Sequence, residues 1–176
     1  ALEEKIIEFG GTPVMYKTGH SHIKTHMKKL NSPFSGEMSG HLFFADRYFG
    51  FDDALYNGGR MLELLSKNDR HLSELIDELP KYFSTPEIRL TCNSDAEKFE
   101  IAGNAAAYFK ANYDCIDVDG VRIRFGDGWG LVRASNTQPV LVVRFEAKTA
   151  QRMEEIQALV MNKIAEFGEV HLDEGH

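Results

Sequence analysis

The first apolar positions of the chain, Leu2, Ile6, Ile7 and Phe9, recur at helical spacing and stop at Gly10-Gly11. Side chains three and four apart share one helix face, and glycine suits the helix C-terminus, so the pattern predicts an amphipathic helix over 2–9. "TPVMYK" (12–17) predicts a short strand, followed by the polar loop "TGHS" and a helix over 20–30. "SPFSGEMSGHLFFAD" (32–46) predicts two strand halves broken by a glycine-flanked turn at Gly36 to Gly40. Asp52 or Asp53 can cap a helix through "ALYNGGRMLELLSK", and a shorter helix around 72–79 ends at Pro80. This alternation of strand and helix argues for an α/β layer arrangement.

"PKYFSTPE" (80–87), a loop with two prolines, marks the expected boundary between a domain at 1–84 and a second at 85–176. Beyond it, "IRLTC" (88–92) predicts a strand, and Ser94 or Asp95 caps a helix reaching about residue 110. Asp119-Gly120 is a strong hairpin signal and Gly126-Asp127-Gly128 a second turn. "PVLVVRFEAKT" predicts the last strand, and "AQRMEEIQALVMNKIAEF" an amphipathic helix. The order β-α-β-β-β-α describes an α+β module with an antiparallel sheet and two helices on one face. The acidic tail "GEVHLDEGH" is expected to fray.

Composition narrows the function classes. A chain of 176 residues with 43% apolar content can bury one large core or two small ones. A net charge of −7 argues against nucleic acid or an anionic membrane as the main partner, because both need a basic surface. No run approaches the ~18 apolar residues of a membrane helix, and the N-terminus lacks a signal-peptide layout. Cys92 and Cys115 lie outside any C-x-x-C pattern, which favours reduced, buried thiols in a cytoplasmic protein over a disulfide. The chain opens directly on a helical pattern without an initiator methionine, so a preceding segment is expected.

Three loops carry candidate chemistry. In "VRASNTQPV", Arg133 offers a planar charged fork, Ser135 and Thr137 hydroxyls, Asn136 an amide, and the backbone several N–H groups. Such a bend can form an anion site; the alternative is a surface turn whose polar side chains satisfy their own backbone. In "GEMSGH", Glu37, Ser39 and His41 alternate, so an extended backbone points them one way. A carboxylate, a hydroxyl and an imidazole suit sugar hydroxyls, with His41 able to exchange a proton near neutral pH; the alternative is a solvated strand edge. In "KTGHSHIKTH", Lys17 and His20 flank Thr18-Gly19 at a predicted strand end, where α/β layers usually hold ligands. His22 and His26 have zinc-compatible spacing. Without an adjacent carboxylate or cysteine set, no metal site is expected from that pair. "FDDALY" reads most simply as a helix N-cap.

Together, "KTGHSHIK", "GEMSGHLFFADRYFGFDDALYNGGRMLELL" and "VRASNTQPVLVVRFEA" closely resemble the C-terminal half of the bacterial phosphomannomutase/phosphoglucomutase branch of the α-D-phosphohexomutases. The resemblance covers essentially residues 1–170, in order and spacing. It implies that 1–84 is most of a third domain, an α/β mixed sheet with helices, whose first strand is missing before Leu2. It implies that 85–176 is a fourth domain, α+β and similar to TATA-box-binding-protein-like modules. Glu37 and Ser39, with Lys17, Thr18 and Gly19, would hold the sugar. His41 and His20 would stand near the reacting hydroxyl as proton-transfer or orienting groups. Arg133, Ser135, Asn136 and Thr137 would clamp the phosphate that is not transferred.

The activity so implied is isomerisation of hexose 1- and 6-phosphates by phosphoryl transfer through a bisphosphorylated sugar, a step of carbohydrate metabolism. The family's phosphoserine and its Mg2+ loop belong to N-terminal domains, and neither motif occurs here. The chain is therefore expected to need those domains as partners, Mg2+ and hexose 1,6-bisphosphate as cofactors, and to be inactive alone. Phosphoglucosamine mutase is the alternative within enzymes, disfavoured by Met38, where that branch prefers glutamine. A non-catalytic phosphosugar-binding module is the alternative of another class.

Overall fold

The computed structural model describes residues 1–135 and 137–172, and the chain divides into two units, Ala1–Pro80 and Lys81–His176. In the first, α1 (Leu2–Glu8) ends where Gly10 adopts φ 77°, and α2 (His20–Leu30) ends at Asn31 with φ 51°. The predicted strand halves form an antiparallel hairpin, β1 (Phe34–Gly36) and β2 (Leu42–Phe44), with Phe34 opposite Phe44 and Gly36 opposite Leu42. Helix α3 (Ala54–Ser66) starts at Asp53, whose side chain accepts a bond from the Tyr56 N–H at 3.0 Å. Two side chains fasten it to the hairpin. Asn57 donates to the Leu42 carbonyl at 3.1 Å, and the Arg60 guanidinium lies 4.3 Å from the Phe44 ring centre while bonding Asp46 at 2.7 Å. A short α4 (Leu72–Asp77) follows.

The core of this unit is small: Ile23 and Met27 of α2 close over Phe43 of β2. Large apolar side chains elsewhere in it, such as Phe9, Phe49 and Leu55, stay exposed.

The strand expected over 12–17 does not form, since no ladder among the described residues includes it. Apolar residues alone do not make a strand, because what stabilises one is packing and pairing with a neighbour. The mixed sheet expected of this unit is accordingly reduced, among the described residues, to the β1–β2 hairpin.

The second unit contains β3 (Phe83–Ser84), β4 (Ile88–Thr91), α5 (Asp95–Asn112), β5 (Asp114–Ile116), β6 (Val121–Arg124), β7 (Gly128–Ala134), β8 (Val140–Ala147), α6 (Ala150–Ala165) and β9 (His171–Leu172). The strands form one antiparallel sheet in the order β5-β6-β7-β8-β4-β9, with β3 also pairing β8. Ser94 and Thr149 cap α5 and α6 through their side-chain oxygens.

One core joins sheet and helices: Ile101, Ala105 and Phe109 from α5, Ile156, Val160 and Ile164 from α6, and Val121, Ile123, Val132, Leu141, Val143 and Phe145 from the strands. Each large side chain buried in this way contributes ~1.5–3 kcal/mol.

The second unit differs from its sequence pattern in three places. Four strands, rather than three, lie between α5 and α6. Part of the proline-containing loop pairs with β8 as β3. The tail does not simply fray either, because β9 pairs with β4, placing Leu172 opposite Leu90 and His171 opposite Thr91. Both added strands are two residues long, too short to show an alternating pattern, and they exist only because β8 and β4 present open edges.

Candidate functional site

In the first unit the site is assembled by two turns and a helix start. Gly19 precedes α2 with φ 122°, a conformation that a side chain at Cβ would strain, and its N–H donates to Glu37 Oε1 at 2.9 Å. The stretch Glu37 to His41 is a turn, with Gly40 N–H bonded to Glu37 O at 3.0 Å and Glu37 N–H to His41 O at 2.9 Å. The expected extended alternation of Glu37, Ser39 and His41 is thus replaced by a bend, which still brings Ser39 Oγ to 3.3 Å from Glu37 Oε2. His41 and Phe43, two apart, flank Leu42 on β2, and Phe43 makes an isolated bridge to Asp52.

That bridge explains the most consequential contact. Asp52 Oδ2 lies 2.7 Å from His41 Nδ1 and 3.6 Å from His20 Nε2. An ionised carboxylate can only accept, so His41 Nδ1 is the donor of this bond, and in the neutral ring Nε2 is the acceptor. The two imidazoles meet edge to face with centres 4.6 Å apart, and His20 also stands edge-on to the buried Phe43, centre to centre 5.3 Å. His20, Glu37 and His41 offer ligand atoms all within 4.8 Å of one another. The structure therefore brings together Gly19, His20, Glu37, Ser39 and His41; Lys17 and Thr18 are exposed residues leading into Gly19. The His26 ring stacks on Tyr16, 3.7 Å between centres.

In the second unit the loop after β7 is held from beneath. Lys98 of α5 has a side chain only 2% exposed, and its ammonium donates to Ser135 O at 2.7 Å, Gln138 O at 2.9 Å and Asp95 Oδ1 at 2.7 Å. Arg89 bonds Gln138 Oε1 at 2.9 Å from the side. The Ser135 N–H belongs to the hairpin, donating to Val140 O, whereas the Thr137 and Gln138 N–H groups both point at Ser135 Oγ, each at 3.3 Å. These two long bonds give converging donors that a better acceptor could recruit. Arg133, half-buried on β7, has its guanidinium 3.7 Å from Asp119. Asn136, the remaining member of the predicted clamp, lies outside the described residues.

Two participants were not singled out from sequence. Asp52 resembled a second helix cap beside Asp53; the usable signal was that one cap needs one carboxylate. For Lys98 the usable signal was that it continues the buried stripe of Ile101, Ala105 and Phe109 at intervals of three and four.

Comparison with known proteins follows the same division. Two family models match: phosphoglucomutase/phosphomannomutase, alpha/beta/alpha domain III, over residues 1–83, and the C-terminal domain of the same family over residues 87–163. A phosphoglucomutase of Neisseria gonorrhoeae is 49% identical over 154 residues, 86% of this chain and 33% of the relative. A phosphomannomutase/phosphoglucomutase of Pseudomonas aeruginosa is 46% identical over 159 residues, 89% of this chain and 34% of the relative. A crystal structure of a family protein from Burkholderia thailandensis superposes with a TM-score of 0.86 at 38% identity, covering 97% of this chain and 36% of that one. The chain thus spans about a third of the length of the relatives it matches.

Proposed function

Because this chain belongs to the phosphoglucomutase/phosphomannomutase (α-D-phosphohexomutase) family, of which it contains domains III and IV, we propose that it is the substrate-holding part of an enzyme that interconverts hexose 1- and 6-phosphates. The observation that carries the reading is the grouping of Glu37, Ser39, His41 and His20 around one carboxylate, Asp52.

In this reading Glu37 and Ser39 take sugar hydroxyls. The Gly19 N–H holds Glu37 in place without consuming all its acceptor capacity. Lys17 and Thr18 extend the rim. His41, with Nδ1 turned to Asp52, presents Nε2 to accept a proton from a sugar hydroxyl as that oxygen bonds the phosphorus of a phosphoserine supplied by the N-terminal domains and the phosphorus–serine oxygen bond breaks, and to return the proton in the reverse sense. His20 shares Asp52 and orients or assists.

On the second unit, Arg133, Ser135, Asn136 and Thr137 bind a phosphate. Its oxygens would replace Ser135 Oγ as acceptor of the Thr137 and Gln138 N–H groups, and Arg133 would exchange its loose pairing with Asp119 for a bidentate one. Grip on a phosphate remote from the reaction is useful because it orients the reacting hydroxyl, and orientation can lower a barrier by several kcal/mol.

Mg2+ does not fit the one grouping of possible metal ligands among the described residues. The His20–Glu37–His41 cluster contributes two imidazoles, whereas Mg2+ takes oxygen ligands in octahedral array. With hexose 1,6-bisphosphate and the N-terminal domains, it belongs to the complete enzyme. The exposed Phe9, Phe49 and Leu55 are consistent with such partners.

The test is a titration of the chain with mannose 1-phosphate, following backbone amides by NMR, beside an Arg133→Ala variant. Saturable shifts at Ser135 and Thr137 that vanish in the variant support the phosphate reading. Shifts that persist in the variant, or none at these residues in the full-length enzyme, refute it. Glu37→Ala removes shifts at Gly19 if the sugar reading holds.

A further inference from the structure

We propose that His20, His41 and Glu37 form a binding site for a borderline-soft divalent ion, Zn2+ above all, with Asp52 as the outer carboxylate that orients His41. Two imidazoles and one carboxylate form a donor set that Zn2+ favours, leaving a fourth position for water. One ring nitrogen of each histidine and one Glu37 oxygen lie within 4.8 Å of one another. A tetrahedral ion with bonds near 2.1 Å sets its ligands about 3.4 Å apart, so no pair needs to close by more than about 1.4 Å. The histidines have room to move this far, their side chains being 46% and 44% exposed.

The surroundings are already those of a metal site. His41 Nδ1 is committed to Asp52 at 2.7 Å, which turns Nε2 into the ligand atom and reproduces a carboxylate–histidine–metal relay. Glu37 is steadied by the Gly19 N–H at 2.9 Å and by Ser39 at 3.3 Å, and each oxygen retains a lone pair for an ion. An ion bound here neutralises Glu37 and occupies His41 Nε2, which closes this rim to hydroxyl ligands. Side-chain geometry alone makes this ion site, whether or not a hexose phosphate binds.

The experiment is a titration of the 176-residue chain with Co2+ and then Zn2+ in a non-chelating buffer, read by visible d–d absorption and by imidazole NMR. The expected result is one ion per chain, Co2+ displaced by Zn2+, with the His20 and His41 rings shifting and the His22 and His26 rings unmoved. His20→Asn and His41→Gln should each weaken binding at least tenfold, Asp52→Asn by about ten- to a hundredfold, and His22→Asn not at all. Amide spectra of the ion-free variants show whether each is folded; for one that is not, the ring shifts of the unsubstituted chain decide. Binding unchanged in His20→Asn and His41→Gln, shifts centred on His22, His26 or His171, or no binding at millimolar Zn2+ overturns the proposal.

Discussion

Replacing Lys98 by methionine keeps the apolar stem and removes the ammonium that ties the loop after β7 to α5. Two of its three bonds go to backbone carbonyls, Ser135 O at 2.7 Å and Gln138 O at 2.9 Å, and the third to Asp95, whose side chain is 71% exposed. Hydrogen bonds to a charged group contribute ~1.5–3 kcal/mol each. The third bond ends on an exposed carboxylate that water screens, and adds only ~0–1 kcal/mol. Water can reach part of the loop, so the lower end applies, and Lys98→Met should cost about 3 kcal/mol.

That is a large share of the ~5–15 kcal/mol typical of a domain, and for a unit of this size it lowers Tm by roughly 12–24 °C. Trp129, the single tryptophan, lies on β7 and reports this unit in urea unfolding. Asp95→Ala serves as the control, with an expected loss below about 1 kcal/mol. If Lys98→Met costs no more than Asp95→Ala, the ammonium is not what holds the loop, and the argument for a preformed phosphate clamp loses its support.

Two further outcomes follow from geometry and charge. Gly120 has φ 75°, and a Cβ there would stand 2.3 Å from Val132 O, so Gly120→Ala should destabilise the second unit by about 2–4 kcal/mol in the same urea assay; a neutral result would contradict the turn. Glu63 is held down at about 2 by bonds from Arg47 and then Lys67. Its folded value lies below its unfolded one, so its stabilising effect is present above the ordinary carboxylate range and is lost as pH falls toward 2. Amide protection in α3, corrected for the intrinsic pH dependence of exchange, should therefore fall less steeply from about pH 5 to about pH 2.5 in Glu63→Gln than in the unsubstituted chain; equal slopes would remove Glu63 from the account.

Local signals wrote much of this protein. Helices α2, α3, α5 and α6 follow from apolar spacing and from Asp53, Ser94 and Thr149 at their starts, because a cap acts over three residues and an amphipathic face over a few turns. The turns at Gly36 to Gly40, Asp119-Gly120 and Gly126 were legible for the same reason. Most candidate site residues were legible as well, through residue types that suit sugars and phosphate and through the resemblance their loops carry.

What tertiary structure alone decided involves partners distant in sequence. Residues 12–17 have a strand's composition and form no ladder, whereas Phe83–Ser84 and His171–Leu172, unremarkable as sequence, pair because β8 and β4 offer them open edges. Asp52 becomes the support of two histidines only when β2 lies beside it, and Lys98 becomes a buttress only when β7 and β8 bring the loop carbonyls over α5. A side chain's hydrogen-bonding capacity is written in its chemistry; which groups stand within 3 Å to use it depends on how the chain closes on itself.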